Sequence, residues 1–188
     1  MFALSSHKLY APKGCGVLAM PENKEFRLFR FGGSQENSIF PGTENTPSIA
    51  AFAMATEHLS ASFENEIRQL KVLTLEGLKI LSSLPFEINV ESPAIRAPGV
   101  LCISIPEVED MESFLDHIYE NGICVSRFSA CSDDIKGPSV ILTQMGRDKR
   151  RAEKSIRIST GFFSRREDYY ILSKAITSYF SKTRVSGK

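Results

Sequence analysis

The segment from Thr46 to Pro85 constrains this chain more than any other. Thr46-Pro47 places a hydroxyl at a helix N-cap and a proline at the first helical position, where its missing N–H is no loss. Apolar residues then recur at Ile49, Phe52, Ala53, Leu59, Phe63, Ile67, Leu70, Leu73, Leu78 and Leu81, with Thr56 in the same register. That three-and-four spacing is one buried face of a helix. Gly77 is its weak point, because glycine costs about 1 kcal/mol relative to alanine inside a helix, which leaves room for a bend or break there. Pro85 ends the run. A helix this long reads as a spine joining two domains.

Bulk properties narrow the partners. A chain of 188 residues, 42% of them hydrophobic, can bury one good core or two small ones. A formal net charge of +1 provides no strong field to draw in nucleic acid or an anionic membrane. The densest basic cluster, Arg147 to Arg151, is interrupted by Asp148 and reads as a solvated turn or short helix. No stretch approaches the roughly 20 apolar residues of a membrane span, and the N-terminus lacks the pattern of a secretory signal. The expectation is a soluble, cytoplasmic protein. The four cysteines and three histidines form no ligand spacing, so no metal site is expected. Cys15, Cys102 and Cys124 have apolar neighbours and read as small core residues. Cys131 lies instead among serine, alanine and aspartate, which suits an exposed loop.

Around the spine, residues 1 to 5 and Gly16 to Met20 read as short strands separated by a Pro12/Gly14 turn. Residues 21 to 45 should be mostly loop, and a loop of that length is usually functional or held by a partner. Beyond Pro93 and Pro98, strands are expected at Val100 to Ile105, Ile123 to Ser126 and Ser155 to Ser159. Helices are expected at Val108 to Glu120, closed by Gly122, at Pro138 to Met145, and at Arg165 to Phe180. The alternation suggests a three-stranded sheet with helices on one side.

Several residues could carry chemistry. Imine formation with an aldehyde needs a neutral amine, and a lysine pushed downward by burial or a neighbouring cation can supply one; taken alone, Lys8 reads as a solvated surface charge. Cys131 could act as a thiolate nucleophile or be an ordinary loop thiol. Arg157, between Ile156 and Ile158, could clamp a carboxylate or be the outward member of an alternating strand. Thr43, ahead of the helix start, could bind an anion or merely shape the turn. Ser5 and His7 read by themselves as a turn hydroxyl and a surface imidazole.

Five blocks in order remove much of that ambiguity: Ser5-Ser6-His7-Lys8, Ala11-Pro12-Lys13-Gly14-Cys15-Gly16-Val17-Leu18, Gly42-Thr43-Glu44-Asn45-Thr46-Pro47, Ser129-Ala130-Cys131-Ser132 and Ser155-Ile156-Arg157-Ile158-Ser159-Thr160-Gly161. Together they resemble the C-terminal half of cysteine desulfurases of the NifS/IscS type, in the class-V aminotransferase family. The resemblance implies an α/β chain, a partial pyridoxal-phosphate-dependent transferase fold of type I. Its parts would be a remnant of the large cofactor domain with an interface loop (1–45), the long connecting helix (46–84), and a small C-terminal α+β domain with a three-stranded sheet (85–188).

The resemblance also implies roles. Lys8 would hold pyridoxal phosphate covalently, Ser5 and His7 would help hold its phosphate, and Thr43 would reach a neighbour's cofactor phosphate across a dimer interface. Arg157 would bind the substrate carboxylate. Cys131 would take sulfur from L-cysteine as a persulfide, leaving L-alanine, and pass it to an iron–sulfur scaffold or another acceptor protein.

The chain departs from the family pattern at four places. Asn37 and Phe40 stand where arginines are expected, Val140 where a histidine is common, and Phe162 where the last block usually ends in arginine. Asp133 and Asp134 would raise a neighbouring thiol's pKa. The cofactor's stacking histidine and the carboxylate facing its ring nitrogen lie upstream of the lysine in the family, so a companion N-terminal half or a homodimer is expected to complete the site. The competing readings are a cofactor-free dimerisation or persulfide-carrier module, and an inactive truncated fragment.

Overall fold

An antiparallel hairpin opens the chain in the computed structural model, which describes residues 1–22, 30–127 and 137–186. Strand β1 (Phe2–Ser5) pairs with β2 (Gly16–Ala19), Phe2 opposite Ala19 and Ser5 opposite Gly16. The two glycines of the connecting block have separate reasons. Gly14 has φ +98°, a left-handed conformation that suits glycine. A Cβ at Gly16 would stand 2.9 Å from the Leu4 carbonyl oxygen, so only glycine lets the strands approach this closely. Opposed residues share a face; Phe2, Leu4, Val17 and Ala19 form one, Ala3 and Leu18 the other. Phe2, Leu4, Val17 and Leu18 are all exposed.

The loop that follows contains a short turn, Glu36–Ser38, whose residues have φ of +49°, +55° and +63°. Asparagine tolerates that conformation better than most residues, which gives Asn37 a local reason to stand at the centre. Helix α1 (Thr46–Ser82) then runs for 37 residues. Asn45 caps it rather than Thr46: its Oδ1 accepts from the Ser48 N–H at 3.4 Å and its carbonyl accepts from the Ile49 N–H at 3.0 Å. The helix continues through Gly77 without a break. The Tyr169 ring occupies the place a Cβ would take there, so glycine at this position serves close packing. The single buried face expected along α1 is realised only in part: Phe52 and Leu81 are buried and Leu59, Ile67, Leu70, Leu73 and Leu78 half-buried, but Ile49 and Phe63 are exposed.

The described residues divide into two units, Met1–Phe63 and Glu64–Lys188. The second is built on a sheet of order β3 (Asn89–Val90), β4 (Val100–Ser104), β5 (Ser155–Ser159), antiparallel throughout. Three strands are present, as expected, but their membership differs. Ile123 to Ser126 contributes one bridge, Ser126 to Arg157, and β3 takes the third place.

Alternation decides the faces. Leu101, Ile103, Ile156 and Ile158 point into the core, where they meet Leu81 of α1, Phe114 and Ile118 of α2 (Met111–Glu120), and Leu172 and Ile176 of α5 (Arg166–Ser186). Phe114 and Tyr179 add an edge-to-face pair at 5.1 Å. Asp110 starts α2 by accepting from the Glu112 and Ser113 N–H groups at 2.9 and 3.3 Å, three residues later than the apolar pattern suggested.

The opposite face carries Glu91, Cys102, Ser104, Ser155 and Arg157. Two short helices, α3 (Val140–Gln144) and α4 (Lys149–Glu153), bury Leu142 and Ala152 apart from the main core, and Arg147, from the turn between them, and Arg151 of α4 reach this second face. Helices therefore do not keep to one side, and the basic cluster is not simply solvated.

Candidate functional site

Lys8 lies on a single 3₁₀ turn, Ser6–Leu9, at the end of β1. The residue that fixes this turn is Ser6, which is fully buried. Its N–H donates to the Cys15 carbonyl at 3.0 Å, and its hydroxyl lies 2.8 Å from that oxygen and 2.5 Å from the Pro12 carbonyl. Tyr10 closes the turn in a left-handed conformation, φ +65°. The effect is to tie the turn to the Pro12-to-Gly16 block and to present Ser5, His7 and Lys8 outward, all three exposed. Sequence reasoning named the outer residues and passed over Ser6; the fixed spacing of the Ser-Ser pair from Pro12 and Cys15 was the available signal.

Thr43 is exposed in the loop just ahead of α1, between Gly42, with φ +115°, and the Asn45 cap. Arg157 belongs to the second unit, half-buried on β5 opposite Cys102, and it exchanges backbone hydrogen bonds with Ser126 at 2.6 and 3.1 Å. Cys131, with Asp133 and Asp134, lies outside the described residues. Ser5, His7 and Lys8 thus share one turn, while Arg157 is placed by a different unit.

The other cysteines do not fill the core. Cys15 and Cys102 are half-buried and Cys124 is exposed. Burial, and then the nearby Glu91 charge, push the Cys102 thiol up to about 11, against the opposing pull of Arg157 and a hydrogen bond with Ser155. It stays protonated near neutral pH and is a poor nucleophile.

Sequence reasoning missed Glu91 altogether. It is fully buried, and its Oε1 accepts from Ser104 Oγ at 2.6 Å and Arg151 Nε at 2.8 Å. Its Oε2 accepts from Arg151 Nη2 at 3.1 Å. Arg147 Nε lies 3.0 Å from Oε2 but off the hydrogen-bond line, a charge contact, while Arg147 Nη2 donates to the Glu91 carbonyl at 3.3 Å. The hydrogen bond to Glu91 raises the Arg151 pKa further. Breaking a pair of this kind would strand a buried charge, typically at 3–5 kcal/mol.

The chemistry of the Lys8 turn suits pyridoxal phosphate: an amine for its aldehyde, and a hydroxyl and an imidazole for its phosphate. The described residues of that unit leave all three groups exposed, so the donors fit but the wall around them is not formed there. Among the described residues no group of three or more histidine, cysteine or acidic side chains could hold a metal. No described helix is long and apolar enough to cross a membrane.

Comparison with known proteins identifies the family. The family model for class-V aminotransferases matches residues 1–172. The mitochondrial cysteine desulfurase of Saccharomyces cerevisiae is 33% identical over 179 residues, 94% of this chain but 35% of that protein. A NifS-like protein from Rickettsia africae superposes with a TM-score of 0.82 at 27% identity, over 95% of this chain and 47% of its own. The structure of SspA in complex with cysteine matches with a TM-score of 0.58 at 25% identity, over 85% of this chain and 43% of its own. The chain therefore spans less than half the length of these relatives. With a match across nearly its whole length, it belongs to the class-V aminotransferase family, in the branch of the NifS/IscS-type cysteine desulfurases.

Proposed function

We propose that this chain supplies the lysine, the carboxylate clamp and the sulfur acceptor of a pyridoxal-phosphate-dependent cysteine desulfurase. The reaction would convert L-cysteine to L-alanine and leave the sulfur on Cys131 as a persulfide, for iron–sulfur cluster or thio-cofactor assembly. Residues 1–45 would be part of the cofactor domain with its interface loop, 46–84 the connecting helix and 85–188 the small domain. The observation that carries this reading is the Lys8 turn, anchored by a buried serine hydroxyl and presenting three groups suited to one cofactor.

When bound, the cofactor supplies an electron sink that weakens bonds at the substrate's carbons. The rest is work for this chain's residues. Lys8 holds the cofactor and then serves as the base that moves protons at the substrate. Ser5 and His7, with Thr43 of a second copy, take the phosphate. Arg157 orients the amino acid by its carboxylate. The Cys131 thiolate takes the sulfur as the carbon–sulfur bond breaks, forming a sulfur–sulfur bond. L-Cysteine, an acceptor protein and a companion half or second copy are the implied partners. Cytoplasm is the compartment inferred from sequence, although the yeast relative is mitochondrial by name.

The exposed apolar faces of the hairpin favour one alternative: a dimerisation or persulfide-carrier module that performs no desulfuration. Mixing the purified chain with pyridoxal phosphate, reducing with borohydride and mapping adducts by mass spectrometry separates the two. A stoichiometric adduct confined to Lys8 would support the reading and mean that the cofactor pocket assembles in this chain. Labels scattered over surface lysines, or none, would mean that this chain alone is not a desulfurase.

A further inference from the structure

Ser6 is the junction between the strand that carries Ser5 and the turn that carries His7 and Lys8. Rotation about its backbone would swing His7 and Lys8 relative to Ser5. All of its polar groups are engaged. Its N–H donates to the Cys15 carbonyl at 3.0 Å, and its own carbonyl accepts from the Tyr10 and Ala11 N–H groups. Its hydroxyl lies 2.5 Å from the Pro12 carbonyl oxygen and 2.8 Å from that of Cys15.

A serine hydroxyl has one proton to give to these two oxygens. The Cys15 carbonyl already takes the Ser6 N–H, so the proton belongs on the shorter contact, to Pro12. That bond draws the connection between β1 and β2 into two lobes that share Ser6. His7 and Lys8 stand on the first and Lys13 on the second. Ser6 is fully buried, so water does not compete for the bond from its side. A ligand gripped at both ends depends on such a junction. The amine must meet the aldehyde while Ser5 and His7 meet the phosphate, and the second contact gains from the first only when their spacing is held. Ser5 is fixed by its place opposite Gly16 in the hairpin, whereas Lys8 is fixed through Ser6.

We propose that Ser6 is a positioning residue for the cofactor: its hydroxyl, bonded to Pro12, holds Lys8 and the phosphate donors at a spacing that lets one molecule of pyridoxal phosphate reach both. This rests on reading Lys8 as the cofactor lysine.

The test treats the full chain with pyridoxal phosphate or with pyridoxal, which has the aldehyde but no phosphate. Borohydride then fixes the adducts, and mass spectrometry counts them. Labelling of Lys8 relative to exposed Lys71, divided by the same ratio for pyridoxal, is the advantage that the phosphate confers. Ser6→Ala is expected to cut that advantage about tenfold and to leave Lys8 labelling by pyridoxal within about twofold of the parent. A merely structural role predicts that both aldehydes are affected alike, with the advantage unchanged. The Leu4 and Val17 amide resonances check that β1 and β2 still pair. If they do not in Ser6→Ala, Ser6→Cys is used, whose thiol is a weaker donor in the same place, with the same sign and a smaller loss expected. An unchanged advantage overturns the positioning role while Lys8 keeps the cofactor. A parent without a phosphate advantage at Lys8 removes the reading of this turn as a cofactor cradle, and this proposal with it.

Discussion

Two antiparallel strand pairs in this molecule are about equally apolar in sequence and meet different fates. In the Glu64–Lys188 unit, Leu101 and Ile103 of β4 are 0% exposed. In the Met1–Phe63 unit, Phe2 is 61% and Leu4 42% exposed. The first sheet has α2, α5 and the end of α1 on one face and the Glu91–arginine contacts on the other. The hairpin has no such cover among the described residues of its unit, and a lone two-stranded hairpin is marginal in water. Strands apolar on both faces belong to sheets covered on both faces. The comparison teaches that the second unit carries its own stability, whereas the hairpin is shaped for a covering layer.

The largest expected effect tests that contrast directly. Phe114, 0% exposed, should lose about 3–5 kcal/mol on truncation to alanine. Phe2→Ala should stay within about 0.5 kcal/mol, because no cavity opens at an exposed site. Urea unfolding of the two variants measures both. A loss at Phe2 matching that at Phe114 would show that the hairpin is already covered in solution.

The next effect sharpens what packing means in the second unit. An alanine in place of a mid-helix glycine normally stabilises a helix by about 1 kcal/mol. At Gly77 a Cβ would run into the Tyr169 ring, and Tyr169 is 1% exposed with little room to retreat. Overpacking of this kind costs about 1–3 kcal/mol, so Gly77→Ala should lower the melting temperature. A rise would mean that helix propensity wins and the Tyr169 contact is loose.

Much of this architecture was legible in the sequence where a local rule applied. Pro47 and Pro85 bracket α1 to within a few residues, and alternation locates β4 and β5. The rules failed where tertiary contact decides. Gly77 looks like a breaker until Tyr169, some ninety positions later, explains it. β3 is two residues long, too short for any period to register. Glu91 meets arginines 56 and 60 positions away, so its neighbours in sequence give no hint of its burial. Lys8 and Arg157 stood out only through the order of five blocks, since a lysine on a turn and an arginine in a strand are ordinary by themselves.

The smallest effect concerns Cys102, on the polar face of the well-covered sheet. Its thiol is pushed up from 9.0 to about 11, chiefly by burial and then by Glu91. An acid whose folded pKa is raised binds its proton more tightly in the folded state. Its contribution to stability is therefore complete below the ordinary thiol range and is lost as pH rises through about 11. Tyr169 and Tyr179, both raised by burial, act with the same sign, so the parent's alkaline unfolding alone would not isolate the thiol. The difference between the parent and Cys102→Ala does, because the tyrosines are common to both. Melting temperatures at pH 8 and pH 10.5 should fall further in the parent than in the variant. Iodoacetamide should label exposed Cys124 readily at pH 8 and Cys102 only as pH approaches 11. Equal labelling at pH 8 would mean that this face opens to solvent as freely as the hairpin, and the contrast between the two strand pairs would then rest on the α2–α5 side alone.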